Sequence, residues 1–307
     1  MRVAGMSYLL LGVLALLLPW IGLYPLFLMK LLCFAMFACA YNLLLGYGRM
    51  LSFGHAAFFG FPAYVASWLI TAHGAGPAGA VLSGMTVAAV LGVIFGGLAI
   101  RRRGIYFAMI TLALGQLVYF VCLESPFTGG ENGLQGVPRG TLLGLLPLRS
   151  DRVMYYLVLA IFVAVFLFIR RVVHSPFGHV LRAIRENEAR AISLGYDINR
   201  YKLMAFVLSA TLSGVAGATN ALVFQLAALN SVHWSMSGEV VLMNLVGGLG
   251  TIFGPVVGAF VVLAMENYLA SLGFWVTIVQ GAIFVLCVLA FRRGIVGELG
   301  RLIRKPL

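Results

Sequence analysis

Few side chains in this sequence could do chemistry, and they fall into two groups. The first lies inside long apolar runs. His55, Glu239 and Glu266 are ionisable there, and Asn42, Ser52, Gln116, Asn220, Asn244, Asn267 and Gln280 are neutral but polar. An ionisable group among lipid chains is costly to hold and is a functional candidate by default. His55 has two readings: a ring that bonds the backbone of a broken helix, or a ring that faces a solute. Glu239 stands near the end of a short run, where it could reach water. No two carboxylates face each other at helical spacing across the centre of a run, as a proton relay would require. The second group is the stretch Arg170–Lys202, which carries Arg170, Arg171, Arg182, Arg185, Arg190, Arg200 and Lys202 beside His174. Its density of cations suits contact with a protein or a headgroup surface, not catalysis.

Other chemistry is missing from the pattern. The chain has three lysines, Lys30, Lys202 and Lys305, and none stands in a phosphate-cradling G-x-x-x-x-G-K-[ST] loop. No nucleophile elbow, H-E-x-x-H helix or H-x-E…C-x-x-C zinc signature occurs. Cys33, Cys39, Cys122 and Cys287 all fall in apolar runs without metal-ligand spacing, and read as packing residues. The expectation is a protein that is not an enzyme, with no metal and no cofactor of its own.

The elements that hold these residues follow from composition. Of 307 residues 62% are hydrophobic and 10% charged, and mean hydropathy is +1.03. That excludes an ordinary soluble domain and predicts an all-α, polytopic transmembrane helix bundle of about 8–10 spans, read as one domain over 1–307, since each span needs about 20 apolar residues. A β-barrel would alternate where this chain runs continuously apolar. The candidate spans are Met6–Leu23, Leu26–Leu45, Leu51–Ile70, Ala80–Ile100, Ile105–Leu123, Val153–Ile169, Leu203–Phe224, Glu239–Phe253, Val256–Leu272 and Phe274–Phe291. No cleavage pattern follows the first run, so it is read as an uncleaved span. With both termini cytoplasmic, only Lys30, Arg139, Arg149 and Arg152 of the 21 Lys and Arg residues fall outside. The positive-inside bias selects that orientation, and it accounts for the net charge of +12 without nucleic acid.

Two spans are interrupted. Leu51–Ile70 contains Ser52-Phe53-Gly54-His55, and Glu239–Phe253 contains Gly247-Gly248-Leu249-Gly250. Gly-broken segments in both halves of a membrane protein point to a translocation path, which makes Asn42, Ser52, His55, Gly248 and Gly250 path candidates. The same glycines also fit close helix packing, as do Gly92-x-x-x-Gly96 and Gly250-x-x-x-Gly254-x-x-x-Gly258. The two readings are compatible.

Two polar regions remain. In the basic stretch, Ser175 offers a cap, Pro176 a first helical residue and Gly195 a stop. Val180, Leu181, Ile184, Ala191 and Leu194 recur on one face of a single predicted helix, with Arg182, Arg185, Glu186 and Arg190 opposite. The loop 124–152 carries Thr128, Gly129, Gly130 and Gly133 in TGGENGL; without a preceding strand or a nearby Lys it reads as an ordered extracytoplasmic turn.

Four stretches together resemble the membrane-spanning permease subunits of branched-chain amino acid ABC importers. They are SFGHAAFFGFPAY from Ser52, GIYFAMITLALGQ from Gly104 with TGGENGL from Thr128, SPFGHVLRAIRENEARAISLGYDINRYKLMAFVLSATLSGVAGA from Ser175, and GEVVLMNLVGGLGTIFGPVVGA from Gly238. They cover most of residues 50–260 in the family's order. The resemblance implies a non-catalytic permease in a bacterial inner membrane. It implies a second, similar permease, two cytoplasmic ATP-binding subunits that bind the ATP, and a periplasmic solute-binding protein. It also places Arg182, Ala183, Arg185, Glu186, Asn187, Ala191 and Gly195 in the region coupled to the ATPase, and the TGGENGL loop on the outer face. The solute stays open, since such proteins also move urea, amides or aromatic acids. A self-sufficient ion-coupled carrier and a transport-free scaffold are the readings from other classes.

Overall fold

A computed structural model describes residues 24–142, 146–148, 150–269, 278–279, 281–282, 284–285 and 294–302. The predicted spans Met6–Leu23 and Phe274–Phe291, and with the latter Cys287, lie outside the described residues or are described only in fragments. The remainder is an all-α, multi-pass bundle, with four strands of two residues each. In chain order the helices are α1 (Pro25–Asn42), α2 (His55–His73), α3 (Pro77–Ala99), α4 (Ile105–Glu124), α5 (Asp151–Val173), α6 (Pro176–Glu186), α7 (Glu188–Ser193), α8 (Ile198–Phe224), α9 (Trp234–Gly247), α10 (Gly254–Leu269) and α11 (Gly294–Leu302). Among the described residues five are long and apolar enough to cross a bilayer: α1 with its extension to Tyr47, α3, α4, α5 and α8.

Start signals explain several boundaries. Pro25, Pro77 and Pro176 each sit in the first turn, where a missing N–H costs nothing. The side chain of Asp197 accepts from the N–H of Arg200 and starts α8 earlier than hydropathy alone predicts. The 27-residue α8 is the central element. It packs on α1, α2 and α3, and most of its length is buried. Small residues permit this: a Cβ on Gly92 of α3 would come within 2.8 Å of Ala210, so the Gly92-x-x-x-Gly96 stripe packs as expected.

The second interrupted span differs from its prediction. Glu239–Phe253 is helical only to Gly247, the end of the 14-residue α9, and the next predicted span, Val256–Leu272, is α10, described over 16 residues. At about 21 Å, α9 falls short of the roughly 30 Å hydrocarbon layer. Residues 248–253 between them are not helical, so Gly250 lies in the break and the glycine ladder begins only at Gly254. The helices pack backbone to backbone, because Gly258 leaves room for the carbonyl of Met243.

The first interrupted span is helical only from His55. Before it, α1 widens into a π-helical turn, Leu43–Tyr47, and residues 49–54 run without helix. Ser52 and Gly54 are nevertheless buried. Irregular backbone inside a membrane bundle must find partners within the protein, and side chains supply them here. Tyr41 Oη donates to the carbonyl of Ser52 (2.9 Å) and accepts its N–H (3.2 Å), Thr111 Oγ1 accepts from the N–H of Phe53 (3.2 Å), and Ser237 Oγ accepts from the N–H of Ala56 (2.8 Å).

Candidate coupling segment and the broken helices

The basic stretch does not form one helix. Asn187 adopts an extended conformation between α6 and α7, and its Oδ1 accepts from the N–H of Arg190 at 3.0 Å. An Asn cap contributes about 1 kcal/mol, enough to favour a fresh start over continuation in a short exposed helix. The break turns the faces. Val180, Leu181, Ile184 and Ala191 face inward as expected, with Ile184 and Ala191 packed on Ile198. Leu194 does not; it is 68% exposed, beside Ile192 at 57% and Tyr196 at 39%. Ser175 occupies the cap position of α6, but its Oγ donates backward to Val172 (2.7 Å). Gly195, at φ 85°, ends α7 in the left-handed region, as the sequence predicts.

The predicted charged face is also divided. Ala183, Arg185, Glu186 and Arg190 are exposed. Arg182 turns inward: its Nη2 donates to the carbonyl of Val173 (2.7 Å), and its guanidinium lies 5.8 Å from the ring centre of Tyr47. Arg185 donates through Nη1 to the carbonyl of Gly46. Glu188, not singled out in the sequence, opens α7 and pairs with Lys202 of α8 and with Arg103 (2.9 Å) in the turn between α3 and α4. The segment is thus fastened to the bundle at several points while one edge stays free.

The path candidates come together at one level. His55 is fully buried, with Nδ1 2.9 Å from Ser52 Oγ and Nε2 2.9 Å from Ser209 Oγ. Ser209 directs its one proton to the carbonyl of Ala40 (2.7 Å), so His55 Nε2 carries a hydrogen toward Ser209, while Nδ1 bonds Ser52 Oγ. Tyr41, Phe58 and Phe206 enclose the ring edge-on. Asn42 reaches the other break: its Nδ2 donates to the carbonyl of Thr251 (2.8 Å), and its Oδ1 accepts from the N–H of Gly250 (3.0 Å). Gly248, at φ 123°, lies against Gly294 of α11. Tyr41 and Ser209 escaped the sequence reading, because nothing local marks a tyrosine or serine as the partner of a distant backbone.

At the opposite end, Gly129, Gly130 and Gly133 all take positive φ around two 3-10 turns. Thr128 Oγ1 is within hydrogen-bond reach of the carbonyls of Cys122 (2.5 Å) and Ser125 (2.6 Å). Leu134–Gln135 then pairs antiparallel with Leu226–Ala227, and Arg139 bridges Asp151 (2.6 Å) and the carbonyl of Val223 (2.9 Å). The turn is ordered by its own backbone and by the end of α8. Among the described residues no cluster of His, Cys, Asp and Glu is placed to hold a metal.

A helical multi-pass bundle with broken helices at its core and a fastened polar segment at its basic end has the form of a membrane permease. The chain belongs to the family described as branched-chain amino acid transport system / permease component, whose model matches residues 25–288. It is 30% identical to the high-affinity branched-chain amino acid transport system permease protein LivM of Escherichia coli, over 65% of this chain and 52% of that one. It is 27% identical to the probable branched-chain amino acid transport permease protein LivM of Methanocaldococcus jannaschii, over 59% and 53%. It is 31% identical to the ribose import permease protein RbsC of Bacillus subtilis, over 55% and 53%. The chain spans about half the length of the curated relatives it matches. No solved structure matches.

Proposed function

We propose that this chain is the membrane-spanning, non-catalytic subunit of an ATP-driven importer of branched-chain amino acids, seated in a bacterial inner membrane. The observation that carries the reading is the free edge of the basic segment. Ile192 and Leu194 stand out into solvent next to Glu186 and Arg190, on helices otherwise fastened down. Exposed aliphatic side chains ringed by charge are the anatomy of a protein contact. On this reading two ATP-binding subunits bind ATP and grip α6 and α7, a second and similar permease completes the path, and a periplasmic solute-binding protein delivers the ligand near Gly129–Gly133. Closure of the ATPase pair moves the basic segment as a lever, and the bundle alternates between its two openings.

The test is co-purification of the assembled complex. Ile192→Asp and Leu194→Asp place a carboxylate in an apolar contact and are expected to lose the ATP-binding subunit while the chain still inserts. Unchanged recovery with both variants refutes the docking role. The likeness to a ribose permease favours a pentose as the second reading. ATP-dependent uptake of labelled leucine and of ribose by the reconstituted complex decides between them.

A further inference from the structure

We propose that Arg185 is the positioning residue through which the basic segment acts on the broken helices, a tie within this chain and not a contact with the ATPase. The inference rests on the coupling role proposed above and gives it a point of action.

Two backbones converge beneath Arg185. A Cβ on Gly46 would collide with Asn42 Oδ1 and lie 2.6 Å from the backbone nitrogen of Gly250. The π-helical end of α1 and the break between α9 and α10 therefore touch with only the Asn42 amide between them. Arg185 closes this knot from the basic end. Its Nη1 donates to the Gly46 carbonyl and lies 2.9 Å from where a Cβ of Gly250 would stand. A guanidinium suits that position on two grounds. The last carbonyls of a helix lack partners within it and carry the negative end of its dipole. The planar fork can hold one carbonyl while lying flat on bare backbone, which a lysine ammonium cannot do. The π-turn beside it, Leu43–Tyr47, is a form frequent at functional sites.

Movement of α6 therefore pulls on the knot. With Arg185 in place, α6, the end of α1 and the 248–253 break move together. Without it, α6 can be displaced while the knot stays as it is.

The experiment uses the full complex with its ATP-binding and solute-binding subunits, reconstituted in vesicles, with Arg185→Gln and Arg185→Lys. Both variants are expected to keep ATPase recovery and ATP hydrolysis, and to lose solute moved per ATP by about tenfold. Loss of ATPase recovery overturns the proposal by making Arg185 a docking contact. Unchanged transport per ATP overturns it by making the bond merely structural. A second measurement, on the chain alone, does not depend on the transport reading. Spin labels at Ala183→Cys and Leu249→Cys report the separation of α6 from the break. Arg185→Gln is expected to broaden that distance distribution, and an unchanged distribution overturns the tie. Failure of the unmodified complex to take up solute with ATP, with broadening intact, sinks the transport reading and leaves the tie standing.

Discussion

Tyr41 and Asn42 are neighbours on α1, and each side chain holds a different broken stretch. The Tyr41 hydroxyl bonds both backbone groups of Ser52, and the Asn42 amide bonds Gly250 and Thr251. Neighbours on a helix point about 100° apart, which lets one turn of α1 serve both breaks. The two irregular segments are therefore registered to each other through a single rigid element.

Replacing Asn42 is expected to be destabilising. Asn42→Ala leaves the part-buried Gly250 N–H and Thr251 carbonyl without their partners, at about 1 kcal/mol for each group. Asn42→Asp keeps the acceptor but loses the donor and adds a charge, and should be worse. Thermal unfolding in detergent measures both. A midpoint within error of the parent would show that the amide is dispensable.

Glycines should separate cleanly by surroundings. A Cβ on Gly217 would collide with the backbone of Phe59, whereas one on Gly97 meets nothing within 4 Å. Gly217→Ala is expected to cost about 1–3 kcal/mol by overpacking. Gly97→Ala should be neutral or stabilising by up to about 1 kcal/mol, because alanine favours the helix. Equal melting shifts for the two would contradict the packing assignment.

The fold class, the boundaries of α4 and both interruptions were legible in the sequence, because hydropathy and paired glycines act locally, whereas α3 starts at Pro77 and not Ala80, and α5 extends past Val153–Ile169 at both ends. The helix from Pro176 was misjudged at Asn187: its apolar period continues to Leu194, but an Asn cap stops the helix and turns Leu194 outward. Arg182 reads as part of a solvated face, and the bond from the exposed Arg185 to Gly46 goes unseen, because their acceptors are backbone carbonyls, which carry no residue signature. Asn42 was named as a candidate, but its partner lies 208 residues away, beyond any pattern within a helix.

The two ion pairs of Glu188 are expected to be unequal. Arg103 is 69% exposed in its side chain and Lys202 only 11%. A double-mutant cycle with Arg103→Gln should give under about 0.5 kcal/mol, as exposed pairs do. The cycle with Lys202→Gln should give a larger value, since water screens that pair less. The reverse order would mean that the Lys202 contact does not persist in solution.

Lys30 of α1 and Glu266 of α10 pair at 3.0 Å, half-sheltered by the bundle. Lys30→Met or Glu266→Gln alone leaves a charge without its counterpart, and each is expected to lower the melting point. The double variant should recover most of the loss, since replacing both members of a sheltered pair is often nearly neutral. Additive losses would show that the two side chains do not interact.

The knot at Gly46 and Gly250 also has a consequence for biogenesis. A ribosome delivers the first half of this chain to the membrane well before the second. Until residue 250 emerges, the Asn42 amide sits among lipid tails or borrows a temporary partner, with its final acceptor and donor unmade. Closing it is thus a late act of maturation, so a chain truncated before α9 should be recognised by quality-control proteases even though its earlier spans are already threaded.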